Sequence, residues 1–206
     1  MKITNEGISR MVMLDRYSQK DRKLETLTPG DLVVAKIKHD PKFPTLGIGY
    51  VKDILSDAVT LEIEDEYVGQ IDPSLNPEGN VLRLPKSSIT KPMEIFYEQI
   101  AKRVGHYLAS DEDQKYAKEF SDEIGAMNIV PAGRVLYGAG SGTNVTYFNC
   151  FVMPMPHDSR GGLADHRKEV MEIMSRGGGV GTNGSTLRPK NSAAVSVGGT
   201  SSGAVS

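Results

Sequence analysis

Glycine sets the terms on which this chain can fold. There are 22 of them, and most follow Gly125 in tight clusters, chiefly Gly138-Ala139-Gly140-Ser141-Gly142, Gly161-Gly162 and Gly177-Gly178-Gly179-Val180-Gly181. Ordering a glycine costs more backbone entropy than ordering any other residue, so a run of three persists where the backbone turns through positive φ or approaches something closely. After Pro131 the pattern is accordingly one of short β-like runs (134–137, 145–153 and 195–197) alternating with glycine clusters. One helix, from about Gly162 to Arg176, carries Leu163, Val170, Met171 and Met174 on one side. Strand, helix, glycine loop and strand in that order open an α/β sheet or barrel.

The rest of the chain obeys other rules. Residues 1–25 form a polar arm with one amphipathic stretch, Ile8 to Tyr17, in which Met11, Leu14 and Tyr17 recur at helical spacing. From about 26 to 90 the pattern is β: a Thr28-Pro29-Gly30-Asp31 turn, then strands around Val33–Ile37, Ile48–Ile54, Val59–Ile63, Tyr67–Ile71 and Val81–Leu84. Five short strands with Pro/Gly turns predict a small SH3-like β-barrel. Residues 91–130 predict an antiparallel helix pair. Pro92 stands in a first turn, and the stripe of the first helix is Ile95 or Phe96, Ile100, Val104 and Leu108. Ser110 caps the second, whose buried face is Tyr116, Phe120, Ile124 and Met127. The fold class expected is thus a multi-part α+β and α/β chain, with segments at 1–25, 26–90, 91–130 and 131–206.

Composition removes several function classes. In 206 residues, 38 % apolar and 24 % charged residues suffice for a core, and a formal charge of −2 removes the electrostatic case for nucleic-acid binding. No apolar run is long enough to span a membrane, and the opening residues lack a signal-peptide pattern. The one cysteine, Cys150, excludes an internal disulfide and makes the cytoplasm the expected compartment. The four histidines show no metal-ligand spacing, so no metal site is expected.

Two glycine loops invite chemistry. Gly138-Ala139-Gly140-Ser141-Gly142-Thr143 lacks the third fingerprint glycine and the following helix that a dinucleotide site needs. Arg176-Gly177-Gly178-Gly179-Val180-Gly181 is followed by no Lys-Ser/Thr, so it is not a P-loop. Its glycines would let backbone N–H groups approach a ligand, the alternative being a helix C-cap with a turn. Cys150 reads from its periodicity as a buried strand residue. Asp158-Ser159-Arg160 reads as a helix cap.

Five ordered stretches carry a resemblance: Pro131-Ala132-Gly133-Arg134, Phe148-Asn149-Cys150-Phe151-Val152, Asp158-Ser159-Arg160-Gly161-Gly162, Arg176-Gly177-Gly178-Gly179-Val180-Gly181 and Gly199-Thr200-Ser201-Ser202-Gly203. Together they resemble ribonucleotide reductases. The Asn-Cys-Phe-Val and Asp-Ser-Arg forms, and the arm around Leu14-Asp15-Arg16-Tyr17, are most similar to the adenosylcobalamin-dependent (class II) branch. The resemblance implies that residues 91–130 belong to a helical N-terminal domain and that 131–206 begins a ten-stranded α/β barrel, with 26–90 as an insertion. It implies an oxidoreductase of deoxyribonucleotide biosynthesis, serving DNA replication by thiyl-radical chemistry and a redox cysteine pair. Cys150 would be the first member of that pair. Asn149, Gly178 and Gly179 would contact the ribonucleotide, while Asp158, Ser159, Arg160 and Arg188 would bind an allosteric deoxynucleotide effector.

The cofactor implied is adenosylcobalamin, with an external dithiol as reductant and dimerisation left open. A dithiol reduction needs two sulfurs and the radical a third, whereas this chain has one. Activity would therefore require a C-terminal half of the reductase, from a split or spliced enzyme, and the isolated chain would be inactive. The ending at Ser206 within a motif run is read the same way. The alternative is a non-catalytic module or remnant that binds nucleotide or protein.

Overall fold

The computed structural model describes residues 6–194 and 198–204. The chain divides into two compact units, residues 1–145 and 146–206.

The first unit opens with helix α1 (Gly7–Val12), which widens into a π-helical turn over Met13–Tyr17. The turn buries Met13 and Leu14 completely enough to anchor the arm. A short strand β1 (Lys20–Asp21) follows, then β2 (Leu32–Lys38), β3 (Thr45–Ile54) and β4 (Ala58–Ile63). A single turn of helix, α2 (Asp65–Val68), precedes β5 (Val81–Pro85) and β6 (Ile89–Pro92). The strands form one antiparallel sheet in the order β1-β6-β2-β3-β4-β5. Val33, Ala35 and Ile37 alternate inward on β2, as do Val59, Leu61 and Ile63 on β4 and Leu82 and Leu84 on β5. Irregularities between Lys36 and Lys38 and between Val51 and Asp53 break the ladder locally, which strengthens twist.

Two expectations are corrected in this region. The strand predicted at Tyr67–Ile71 is α2 and the turn after it: Asp65 and Glu66 occupy the first helical turn, where carboxylates suit the helix dipole, while Tyr67 alone is buried. Pro92 does not start a helix. It ends β6, pairing with Lys20, and the arm thereby joins the sheet. Strands β1 and β6 are too short to leave a periodic signal.

Helices α3 (Tyr97–Leu108) and α4 (Gln114–Gly125) form the predicted antiparallel pair. Gln99 accepts the N–H groups of Ile95 and Phe96 at the start of α3, and Asp113, not Ser110, caps α4 through Lys115 N–H. The stripe differs from expectation. Leu108, Phe96, Tyr116 and Met127 are exposed, whereas Ile100, Ala101, Val104, Gly105, Ala117 and Ile124 are buried. Small residues set this interface: a Cβ on Gly105 would lie 2.4 Å from Ser121 Oγ and 2.6 Å from Ser121 N, so the backbones meet where no side chain fits. Residues 134–137, expected as β, belong to helix α5 (Gly133–Gly138).

One arginine ties this unit together. Arg103 donates to both Glu94 carboxylate oxygens (2.8 and 3.1 Å), to Leu136 O (3.0 Å), to Tyr17 O (3.2 Å) and to Ala139 O. Glu94 also accepts Gln19 N–H at 2.8 Å.

The second unit is a β–α–β crossover. Strand β7 (Cys150–Val152) runs parallel to β8 (Gly179–Gly181), joined by helix α6 (Arg160–Ser175). A small antiparallel ribbon, β9 (Ala193–Ala194) with β10 (Gly199–Thr200), follows. Only residues 150–152 of the predicted run 145–153 are strand, and the run at 195–197 lies outside the described residues. Helix α6 buries none of its side chains, Leu163, Met171 and Met174 included. Among the described residues, no helix is long and apolar enough to cross a membrane.

Candidate functional site

Successive strand side chains alternate between faces, and β7 shows it cleanly. Phe151 turns toward α6, where a Cβ on Gly178 would meet both Phe151 Cε2 (3.0 Å) and Ile173 Cγ2 (2.6 Å). Cys150 and Val152 therefore lie on the opposite, helix-free face. Both are exposed, Val152 at 91 %. The buried cysteine expected from periodicity is thus an exposed free thiol, because the face it occupies carries no covering layer among the described residues. Asn149 precedes it, exposed, with its carbonyl accepting Gly179 N–H at 2.7 Å. Phe148 packs edge-on against Phe151, with centroids 6.5 Å apart.

The glycine run does several separate jobs. Gly177 has φ +76°, and its N–H reaches Met174 O (2.9 Å) while Gly178 N–H reaches Ile173 O (3.0 Å). These two bonds are the Schellman closure of α6. Gly178 is buried where α6 crosses β7. Gly179 faces the thiol: a Cβ there would stand 3.3 Å from Cys150 Sγ. All three N–H groups are therefore committed inside the protein, which corrects the expectation that they aim at a ligand. What the run offers instead is access, since Gly179 leaves the thiol uncovered on that side.

The four residues assigned to an effector converge at the start of α6. Ser159 accepts Gly162 N–H at 3.0 Å and caps the helix, with His157 Nδ1 3.2 Å from its hydroxyl. Arg188 comes from 30 residues downstream to hold Asp158 Oδ2 at 2.7 Å and Asp158 O at 3.1 Å. Arg160 is exposed at the first helical position. A long helix's N-terminus with an arginine beside it suits an anion, though Asp158 already holds Arg188 and an incoming phosphate would share it. A Cβ on Gly162 would sit 2.5 Å from His157 O, which explains the glycine in that motif.

Sequence spacing missed one link: Thr182 Oγ1 lies 2.7 Å from His166 Nε2, joining the end of β8 to α6. A lone histidine in mid-helix and a threonine after a glycine carry no pairwise signal. No cluster of His, Cys, Asp or Glu that could hold a metal occurs among the described residues.

A parallel β–α–β unit with a reactive group on the face away from its helix is a building block of α/β barrel enzymes, in which helices lie outside and chemistry is done within. Residues 148–206 match the family model of the ribonucleotide reductase barrel domain. The matched residues include Cys150, the glycine run and α6. No curated protein matches the chain.

Proposed function

We propose that this chain supplies the first part of the catalytic barrel of a ribonucleotide reductase of the class II type, with Cys150 as one sulfur of the reducing pair. The observation that carries the reading is the placement of Cys150: exposed, on the helix-free face of β7, beside a residue with no side chain, within the segment similar to the reductase barrel. In the net reaction two thiols become one disulfide, giving up two electrons and two protons. The ribonucleotide loses its 2′-hydroxyl as water and gains hydrogen at C2′. Cys150 provides one thiol of the two.

The second thiol and the radical-forming sulfur come from a segment other than these residues, since the chain has one cysteine. Asn149 and Gly179 flank the sulfur and would border the ribose, and the start of α6 with Arg188 would take a deoxynucleotide effector. Adenosylcobalamin dependence is carried by the motif forms around Asn149 and Asp158. No step here runs through that group.

The test combines the chain with a polypeptide bearing the rest of the barrel, adenosylcobalamin, a ribonucleotide and a dithiol. Deoxyribonucleotide is expected from the mixture, none from the chain by itself, and none from the mixture carrying Cys150→Ser. Unchanged turnover with Cys150→Ser would refute the assignment.

A further inference from the structure

The first unit carries a feature that nucleotide chemistry does not use. A groove of about 1040 Å³ lies where α1, the start of β2 and the β6–α3 turn meet. Tyr50, Met93 and Phe96 line it and are exposed, Phe96 at 57 %. Its two cations are already neutralised: Arg10 is paired in a fork with Glu64 (2.7 and 3.0 Å), and Lys91 with Asp31 (2.6 Å). Three more carboxylates on its border, Glu6, Glu66 and Glu98, have no ion pair among the described residues. An apolar floor with an acidic rim unpaired among the described residues suits a cationic segment bearing a large apolar side chain.

Such a segment exists on this chain. The β2–β3 loop, His39-Asp40-Pro41-Lys42-Phe43-Pro44, projects Phe43 into solvent at 82 % exposure. Asp40 accepts the N–H groups of Lys42 and Phe43, both at 2.8 Å, and two prolines flank the tip, so the aromatic is held outward in an ordered turn. Lys36, Lys38 and Lys42 are exposed on the same hairpin end. Leu32, at the other end of β2, lines the groove, about 20 Å away at 3.3 Å per residue. The loop therefore cannot reach its own groove.

We propose that the Phe43 loop of one copy of this chain seats in the acidic groove of a second copy. Plug and groove lie at opposite ends of β2, so each contact joins unlike patches, closing as a reciprocal two-fold pair or propagating as a chain or ring. The inference is independent of the reductase reading.

The test is sedimentation velocity on the full chain over a range of concentrations, with a fluorescein-labelled peptide of residues 38–46 as a direct probe by anisotropy. Expected are concentration-dependent association weakened by salt and saturable peptide binding that drops roughly tenfold or more when the peptide carries Phe43→Ser. Phe43→Ser and Glu98→Lys chains, each shown folded by circular dichroism, should each lose self-association, yet associate when mixed, because one retains the groove and the other the plug. Monomers throughout with no peptide binding, equal binding of the Phe43→Ser peptide, or a mixture that stays monomeric would each overturn the proposal. Association left intact by both single variants would overturn it too.

Discussion

Replacing Arg103 by methionine removes a cation whose hydrogen bonds join the arm, the β6–α3 turn and α5. Its side chain is 13 % exposed and that of its partner Glu94 is 11 % exposed, so the pair is largely withdrawn from water. Without the guanidinium, Glu94 retains Gln19 N–H as a donor, and the carbonyls of Tyr17, Leu136 and Ala139 each lose one. Breaking a buried pair from one side costs about 3–5 kcal/mol, because the charge left behind is uncompensated. Against a typical total of about 5–15 kcal/mol that is a large share. With a urea slope of roughly 2 kcal/mol/M, the unfolding midpoint should fall by about 2 M. Far-UV circular dichroism is the fitting probe, since the chain has no tryptophan. Adding Glu94→Leu to Arg103→Met should recover part of the loss, because the stranded charge goes with it. A midpoint that moves by less than about 0.5 M, or a double variant whose loss is the sum of the single losses, would refute the reasoning.

Gly105→Ala should destabilise the α3–α4 pair by about 1–3 kcal/mol despite alanine's better helix propensity, since its Cβ would fall 2.4 Å from Ser121 Oγ; a raised denaturation midpoint would contradict this. Tyr97→Phe should leave stability unchanged or raise it by up to about 1 kcal/mol, because the buried Tyr97 hydroxyl has no partner. Burial raises the Asp31 carboxyl, but hydrogen bonds from Lys91 and Thr28 outweigh it and hold the group below its ordinary 3.8. Its folded-state value being the lower one, its contribution is present above 3.8 and fades as pH falls through the folded value. Asp31→Asn should therefore flatten the acid limb of a stability–pH curve, and an unchanged limb would count against the Asp31–Lys91 pairing. Gly179→Ala should slow alkylation of Cys150 by iodoacetamide several-fold, the Cβ standing 3.3 Å from the sulfur; an unchanged rate would show that access comes from elsewhere.

Local pattern was legible where one physical rule dominated. Strict alternation in Val59–Ile63 marked β4, because a half-buried strand must alternate, while short apolar runs at 33–37 and 81–84 marked β2 and β5. The motif order around Cys150, Asp158 and Gly177 marked the β–α–β unit for the same segment that matches the reductase barrel. Pattern failed where tertiary contact overrode it. Large side chains at helical spacing pointed to Leu108, Tyr116 and Met127 as core, yet α3 and α4 meet through Gly105 and Ser121, and the large residues turn outward.

Composition and spacing alone determined that a single thiol sits on a short strand ahead of a helix and a glycine run. Only the tertiary structure decided which face that thiol takes and what the glycines are for. Those answers depend on atoms distant in sequence: Ile173 and Phe151 closing on Gly178 leave Cys150 on the open side, and Asn149 and Ile173 claim the N–H groups that a linear reading would offer to a ligand. Backbone donors are satisfied by whichever acceptor folding brings within reach, and that is a property of three-dimensional proximity rather than of residue order.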